Sequence, residues 1–187
     1  MRRIDREMNK EFGLKVIDNS SYGIISMINQ DNKPHCIPLS IAREDDILYF
    51  HSAMDGEKVN IFENNPDVCV TFVGNVNVPE IYSKEELDEI LKDKSKANLL
   101  SSSVFTTEFE SAIVKGNVKL LVEEEERVKG MRLICEKYTP KMMNYFNMAI
   151  NAGLEKTNIY KIEIEEITAK RKKYNSKGQE MKWGKME

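Results

Sequence analysis

The sequence predicts a mainly β fold in which about six antiparallel strands close into a small barrel with peripheral helices. Three observations carry this expectation. Short runs rich in β-branched and aromatic residues recur from Tyr22 onward, polar turn clusters separate them, and two further alternating runs return after residue 110. The hydrophobic content of 41% is enough for a sizeable core in a chain of 187 residues, read as a single domain.

The first dozen residues read as a short polar helix or an ordered arm. YGIISMIN (22–29), PHCIPLSI (34–41) and ILYFHS (47–52) then form a meander, with NQDNK and REDD as the turns. Pro34 and Pro38 place the second run at a sheet edge, because proline cannot donate to a ladder. Val59, Ile61 and Phe62 mark a short amphipathic helix that stops at Asn65-Pro66, and VCVTFVG (68–74) is the next strand. Ser83 and Glu86 have the spacing of a capping box, so 83–100 reads as a helix within an insertion spanning about 76–100.

SAIVKGNVKLLV (111–122) is a long strand with Gly116 as a bulge or bend. After residue 123 a helical extension follows. Val128, Met131, Ile134, Cys135 and Tyr138 share one stripe of a helix over 123–138, and a second helix covers 140–152. NIYKIEIEEI (158–167) alternates cleanly and is the last core strand, with the basic stretch KRKKYNSK (170–177) as a solvated tail. Methionines and aromatics in KMMNYFNM (141–148) fit core or dimer contacts better than a cofactor wall, although Phe146 near a cofactor ring fits the same spacing.

Lysine plus arginine (28) nearly balance aspartate plus glutamate (31), giving net charge −3, so there is no global electrostatic case for nucleic acid. No apolar run reaches membrane-spanning length, and the N-terminus lacks the apolar core of a signal peptide. Cys36, Cys69 and Cys135 are odd in number and far apart, which predicts reduced, buried thiols in a cytoplasmic protein.

One stretch, ILYFHSAMDGEKVNIF (47–62), has a logic for phosphate. A strand ends in His51-Ser52, a turn follows at Asp55-Gly56, and Lys58 lies at a helix start, where free N–H groups and the dipole favour an anion. A solvated lysine and a plain turn serine fit the same pattern. The second histidine, His35, forms no HxH or HExxH pair with His51, so no metal site is expected.

Five pieces in order, MRRIDRE, KPHCIPLSI, ILYFHSAMDGEKVNIFENNPDVCVTF, FTTEFESAIVKGNVKLL and EKYTP, cover most of residues 1–140. Together they resemble the pyridoxamine 5′-phosphate oxidase-like FMN-binding split barrels, most closely the nitroimidazole-resistance branch. The resemblance implies a six-stranded antiparallel split barrel that forms a homodimer, with FMN in clefts between the subunits. It lays Ile37, Pro38, Leu39 and Ser40 along the flavin ring, puts Phe50, His51 and Ser52 at the ribityl and phosphate end, and gives the phosphate to Lys58. Ser111 stands where related oxidases place a flavin-reaching glutamine, preceded by Thr107, Phe109 and Glu110, some of these crossing from the second subunit. Trp183 corresponds loosely to a C-terminal aromatic of the oxidases.

The chain also departs from the family pattern. Glu57 replaces the arginine of an Arg-Lys phosphate pair, and Glu108 stands where the branch has arginine. No arginine set for pyridoxal phosphate is present, which counts against a true pyridoxamine phosphate oxidase. The implied function is an FMN-dependent, NAD(P)H-dependent reductase of small electron-poor acceptors such as nitro compounds, with His51 as the acid/base group. The alternatives are a flavin-binding or redox-sensing module without turnover, and a haem-binding relative with His51 or His35 as axial ligand.

Overall fold

The structure is a computed structural model that describes residues 2–175 and 178–182. A 3-10 turn at Ile4–Arg6 leads into β1 (Glu7–Met8) and α1 (Lys10–Asn19). Two hairpins follow, β2 (Gly23–Ile28) with β3 (Pro34–Leu39) and β4 (Ala42–Glu44) with β5 (Ile47–Ser52). Next come α2 (Glu57–Asn64), β6 (Asp67–Asn77), α3 (Lys84–Lys92), α4 (Ala97–Leu99) and a π-helical turn at Leu100–Val104. The remainder is β7 (Glu108–Leu120), α5 (Glu124–Tyr138), α6 (Phe146–Gly153) and β8 (Asn158–Lys172).

All neighbouring strands are antiparallel, in the order β3-β2-β6-β7-β8-β5-β4, and β1 pairs with the far end of β8. The outermost strands, β3 and β4, are separated in the chain only by Ser40 and Ile41, so the sheet has to curl until its edges meet at that corner. Curling gives it an inside. Leu48 and Phe50 of β5 are fully buried there, with Phe50 stacked on Tyr160 at 5.1 Å and edge-on to Phe62 at 5.8 Å. Val16 and Ile17 of α1 and Ile61 and Phe62 of α2 join the same cluster, so the two helices plug the barrel. Tyr49 and Ile159 point the other way, into a second cluster with Ile134 of α5. Strand alternation thus feeds two cores at once.

The corner is pinned by the C-terminal end of α5. The Ile41 N–H donates to Tyr138 Oη at 2.9 Å, while the Ile41 carbonyl accepts from Tyr138 Oη at 3.0 Å and Lys137 Nζ at 2.9 Å. Lys137 Nζ also donates to the Ile17 carbonyl in the last turn of α1 at 3.0 Å, a favourable place for a cation. Burial lowers the Lys137 pKa from its ordinary value. Ile41 in turn lies over Gly23, where a Cβ would stand 2.5 Å from Ile41 Cδ1.

The antiparallel barrel, the edge position of β3, the capping box of α3 and the apolar stripe of α5 agree with the sequence reading. The strand count is eight rather than six, because β1 and β4 are two and three residues long, too short to show a period. Arg43 and Glu44 belong to β4, so the REDD turn shrinks to Asp45-Asp46, with Asp45 at φ 49°. Residues 10–19 form α1, which the sequence reading stopped short of because Gly13 interrupts its pattern.

The expected 83–100 helix breaks after Lys92, and 140–152 opens with a 3-10 segment, Pro140–Tyr145, before α6. Lys170–Lys172 are strand rather than tail, held between β7 and, at Lys170, β1. Met142 and Met148 are exposed rather than core, and only Phe146 of that patch is buried, beneath the Arg132 guanidinium at 4.4 Å. Cys36 is exposed and Cys69 and Cys135 are partly so, although all three are free.

Gly116 marks the expected irregularity. The β7–β8 register slips there, leaving Glu165 unpaired between Lys115↔Glu166 and Gly116↔Ile164. A Cβ at residue 116 would lie 2.1 Å from the backbone carbonyl oxygen of Glu163, which cannot yield as a side chain can. Gly116→Ala is expected to destabilise the fold by about 1–3 kcal/mol, read as a lower urea midpoint at unchanged m-value.

Candidate functional site

The barrel is not sealed along its whole length. β4 pairs only with Ile47–Tyr49, so Phe50, His51 and Ser52 have β8 on one side and, among the described residues, no strand on the other. Among the described residues β3 has only β2 beside it. Two strands leaving one corner with free inner edges make a slot lined by backbone N–H and C=O groups that require partners. Ile37 and Leu39 turn their side chains toward the barrel core, Pro38 is exposed on the outer face, and Ser40 lies half-buried at the corner. Of Phe50 only the backbone borders the slot, because its side chain is in the core.

At the far end of the slot stands the start of α2. Gly56, at φ 117°, provides no side-chain cap. Lys58 is half-buried and makes no hydrogen bond or ion pair with a described residue. His35 Nδ1 approaches Glu57 Oε1 at 3.5 Å, which ties β3 to α2 across the mouth. Ser52 is buried and spends its hydroxyl proton on the Ala53 carbonyl at 2.7 Å. Beside it, Asn158 Nδ2 donates to Tyr160 Oη at 3.1 Å.

His51 lies half-buried with Nδ1 enclosed and without a hydrogen-bond partner, and burial lowers its pKa. The imidazole is therefore held neutral near pH 7. The slot thus offers an unpaired cation, an uncapped helix start and strand edges to a flat ligand with an anionic end, while alternation along β5 puts the neutral imidazole of His51 on the same face as Tyr49.

The second set of candidates lies elsewhere in the chain. Thr107 is exposed just before β7, Phe109 and Ser111 face outward, and Glu110 turns inward beneath α1, accepting from Asn75 Nδ2 at 3.2 Å. Ser52 is opposite Asn158 on β8 whereas Ser111 is opposite Lys170, a separation of about 40 Å along the strand. Within one chain the β5 end of the first set is thus far from Ser111, whereas the β3 residues are level with it across the sheet, Leu39 being opposite Gly23, Gly23 opposite Phe72 and Phe72 opposite Ala112. The outer sheet face carries a row in register that starts at Pro38 of the first set and runs through Ile24, Thr71 and Ile113 to Thr168, of which Ile24 is 41% and Ile113 40% exposed.

Sequence reasoning missed Lys137 and Tyr138 as the pins of the slot's corner, although both lie in the EKYTP piece. It also left His35 unplaced, because contact with Glu57 is set by the β2–β3 hairpin folding onto α2. Trp183 lies outside the described residues.

Comparisons with known proteins fit this architecture. No curated protein sequence matches the chain. Among solved structures, a candidate 5-nitroimidazole antibiotic resistance protein from Bacteroides thetaiotaomicron is similar at TM-score 0.68 and 19% identity, over 88% of this chain and 86% of that one. An FAD and haem binding protein from Mycobacterium smegmatis is similar at TM-score 0.66 and 14% identity, over 89% and 73% of the two chains. An FAD-binding protein from Mesorhizobium loti is similar at TM-score 0.58 and 17% identity, over 90% and 98%. At these identities the likeness is one of fold. The family model for pyridoxamine 5′-phosphate oxidase matches residues 11–171, nearly the whole barrel, and the chain belongs to that family.

Proposed function

We propose that the slot between β3 and β5 holds the FMN moiety of a flavin and that the protein is an NAD(P)H-dependent reductase of small electron-poor acceptors, nitro compounds among them. The observation that carries this reading is the free Lys58 at the uncapped start of α2, beside unpaired strand edges. Flavin binding by fold relatives from M. smegmatis and M. loti supports it.

A bound flavin supplies hydride and single-electron transfer. The chain's own contribution is placement. Backbone groups of Ile37–Ser40 border one side of the ring position, Lys58 balances phosphate charge, and His51, whose Nδ1 is enclosed, would accept or return a proton through its other ring nitrogen, Nε2. Glu108 is occupied structurally, accepting from the Tyr174 N–H at 2.7 Å, and adds no cation for an anionic acceptor.

A homodimer formed through the exposed sheet face would bring Thr107, Phe109, Glu110 and Ser111 of a second copy to this slot, which one chain leaves incomplete. Haem ligation by His51 is a second reading, favoured by its neutral imidazole and made through Nε2, because Nδ1 is enclosed.

The visible absorption spectrum after reconstitution separates flavin from haem: a flavin band is expected, and a Soret band lost in His51→Ala would favour haem instead. Lys58→Ala is expected to weaken FMN binding about tenfold, equivalent to ~1.4 kcal/mol and typical of a lost charge-assisted contact, measured by flavin fluorescence quenching. Ile113→Asp is expected to convert the dimer to monomer by analytical ultracentrifugation and to abolish NADH-driven turnover of a nitroaromatic.

The depressed folded-state pKa of His51 means that the unfolded chain takes up its proton first as pH falls. Its contribution to stability is full above the unfolded value of about 6.5 and is lost as pH falls through the lower folded value. Urea midpoints between pH 8 and 5 are expected to fall more steeply for the wild type than for His51→Phe.

A further inference from the structure

Beside the second apolar cluster, α5, α6 and the start of β8 enclose a cavity of about 110 Å³. Its walls include Met131, Cys135, Phe146, Gly153, Leu154 and Ile159, and it opens at Ala149, an exposed residue of α6. Met131 and Cys135 lie on the α5 stripe that continues to Tyr138, the pin of the slot's corner. The cavity is nonetheless separate from the slot, and none of the site candidates lines it.

Nothing in the lining asks for a polar guest. Its one hydroxyl, Thr157 Oγ1, donates to the Gly153 carbonyl at 3.2 Å, and the Leu154 carbonyl accepts from Arg127 Nη2 at 2.7 Å. A buried water needs two to four polar partners, which these occupied groups do not supply. The lining is polarisable instead, with the Met131 thioether, the Cys135 thiol and the Phe146 ring around one space. Sulfur beside an aromatic ring is a favourable contact, so these walls suit an aromatic guest.

Size makes the same point. An apolar cavity of about 150 Å³ takes up benzene, and here a somewhat smaller space continues into the opening beside Ala149. Gly153 adds to the room: a Cβ there would meet no atom within 4 Å, and its φ of −119° is one that any residue adopts. Neither backbone conformation nor crowding therefore demands glycine at this position. Its effect is to leave the cavity open.

We infer that this cavity is a binding site for a small apolar molecule the size of a single aromatic ring, held between α5 and α6 against Phe146 and Ile159. The inference goes beyond the flavin reading of the slot and does not rest on it.

Titration of the full chain with benzene, after labelling the methionine methyls with carbon-13, tests the site. A saturable shift of the Met131 methyl signal is expected, assigned through Met131→Leu, together with a rise in the thermal unfolding midpoint. Gly153→Leu fills the cavity from its wall and is expected to abolish both effects. Ala149→Leu narrows the mouth and is expected to weaken them, with circular dichroism checking that each variant folds. A wild type that shows no saturable shift, or a shift that survives both substitutions, overturns the site. A Met131 signal that moves when the protein alone is diluted assigns the cavity to a side chain of a second copy, and overturns it too.

Discussion

The joining of the two sheet edges at Ile41 is the constraint on which the rest of this structure depends. An antiparallel sheet with one apolar face must bury it, and here it does so by closing on itself, so that the residues linking the outermost strands carry the closure. Ile41 is fully buried, and both of its backbone polar groups are satisfied by the end of α5. A hydrogen bond from a charged donor contributes about 1.5–3 kcal/mol, enough to offset part of the cost of desolvating the Lys137 ammonium. Because that ammonium also holds the last turn of α1, the plug at one end of the barrel and the corner of the slot are set by a single side chain.

The slot follows from the same corner by subtraction. β4 is long enough to seal three residues of β5 and no more, so the edges part just where Phe50, His51 and Ser52 begin. Beyond that point α2 brings Lys58 and Glu57 to the opening as its buried Ile61 and Phe62 enter the core.

Much of this was legible in the sequence. Alternation in residues 47–52 and 158–167 announced strands with two environments, and Gly116 and the paired prolines of β3 announced a bulge and an edge. What was not legible depends on tertiary pairing. β1 and β4 exist only because β8 and β5 offer them ladders. Lys170–Lys172 read as a solvated tail because a basic run carries no hint of the strands beside it.

The site was half legible. Spacing singled out His51, Ser52 and Lys58, and the family resemblance added the β3 residues. That Ser52 gives its proton to the Ala53 carbonyl, that Phe50 faces the core, and that Ser52 and Ser111 lie toward opposite ends of β8 are facts of register and rotamer, which no linear pattern encodes.

The length of β8 has a genetic consequence. Under the proposed two-copy arrangement, each polypeptide contributes the β5 end of one site and the β7 end of the other. A lesion at Lys58 and a lesion near Ser111 would then damage different halves. Co-expressed, the two defective chains would assemble a mixed dimer with one site spoiled twice and the other intact. The gene would behave as two complementation groups within a single reading frame.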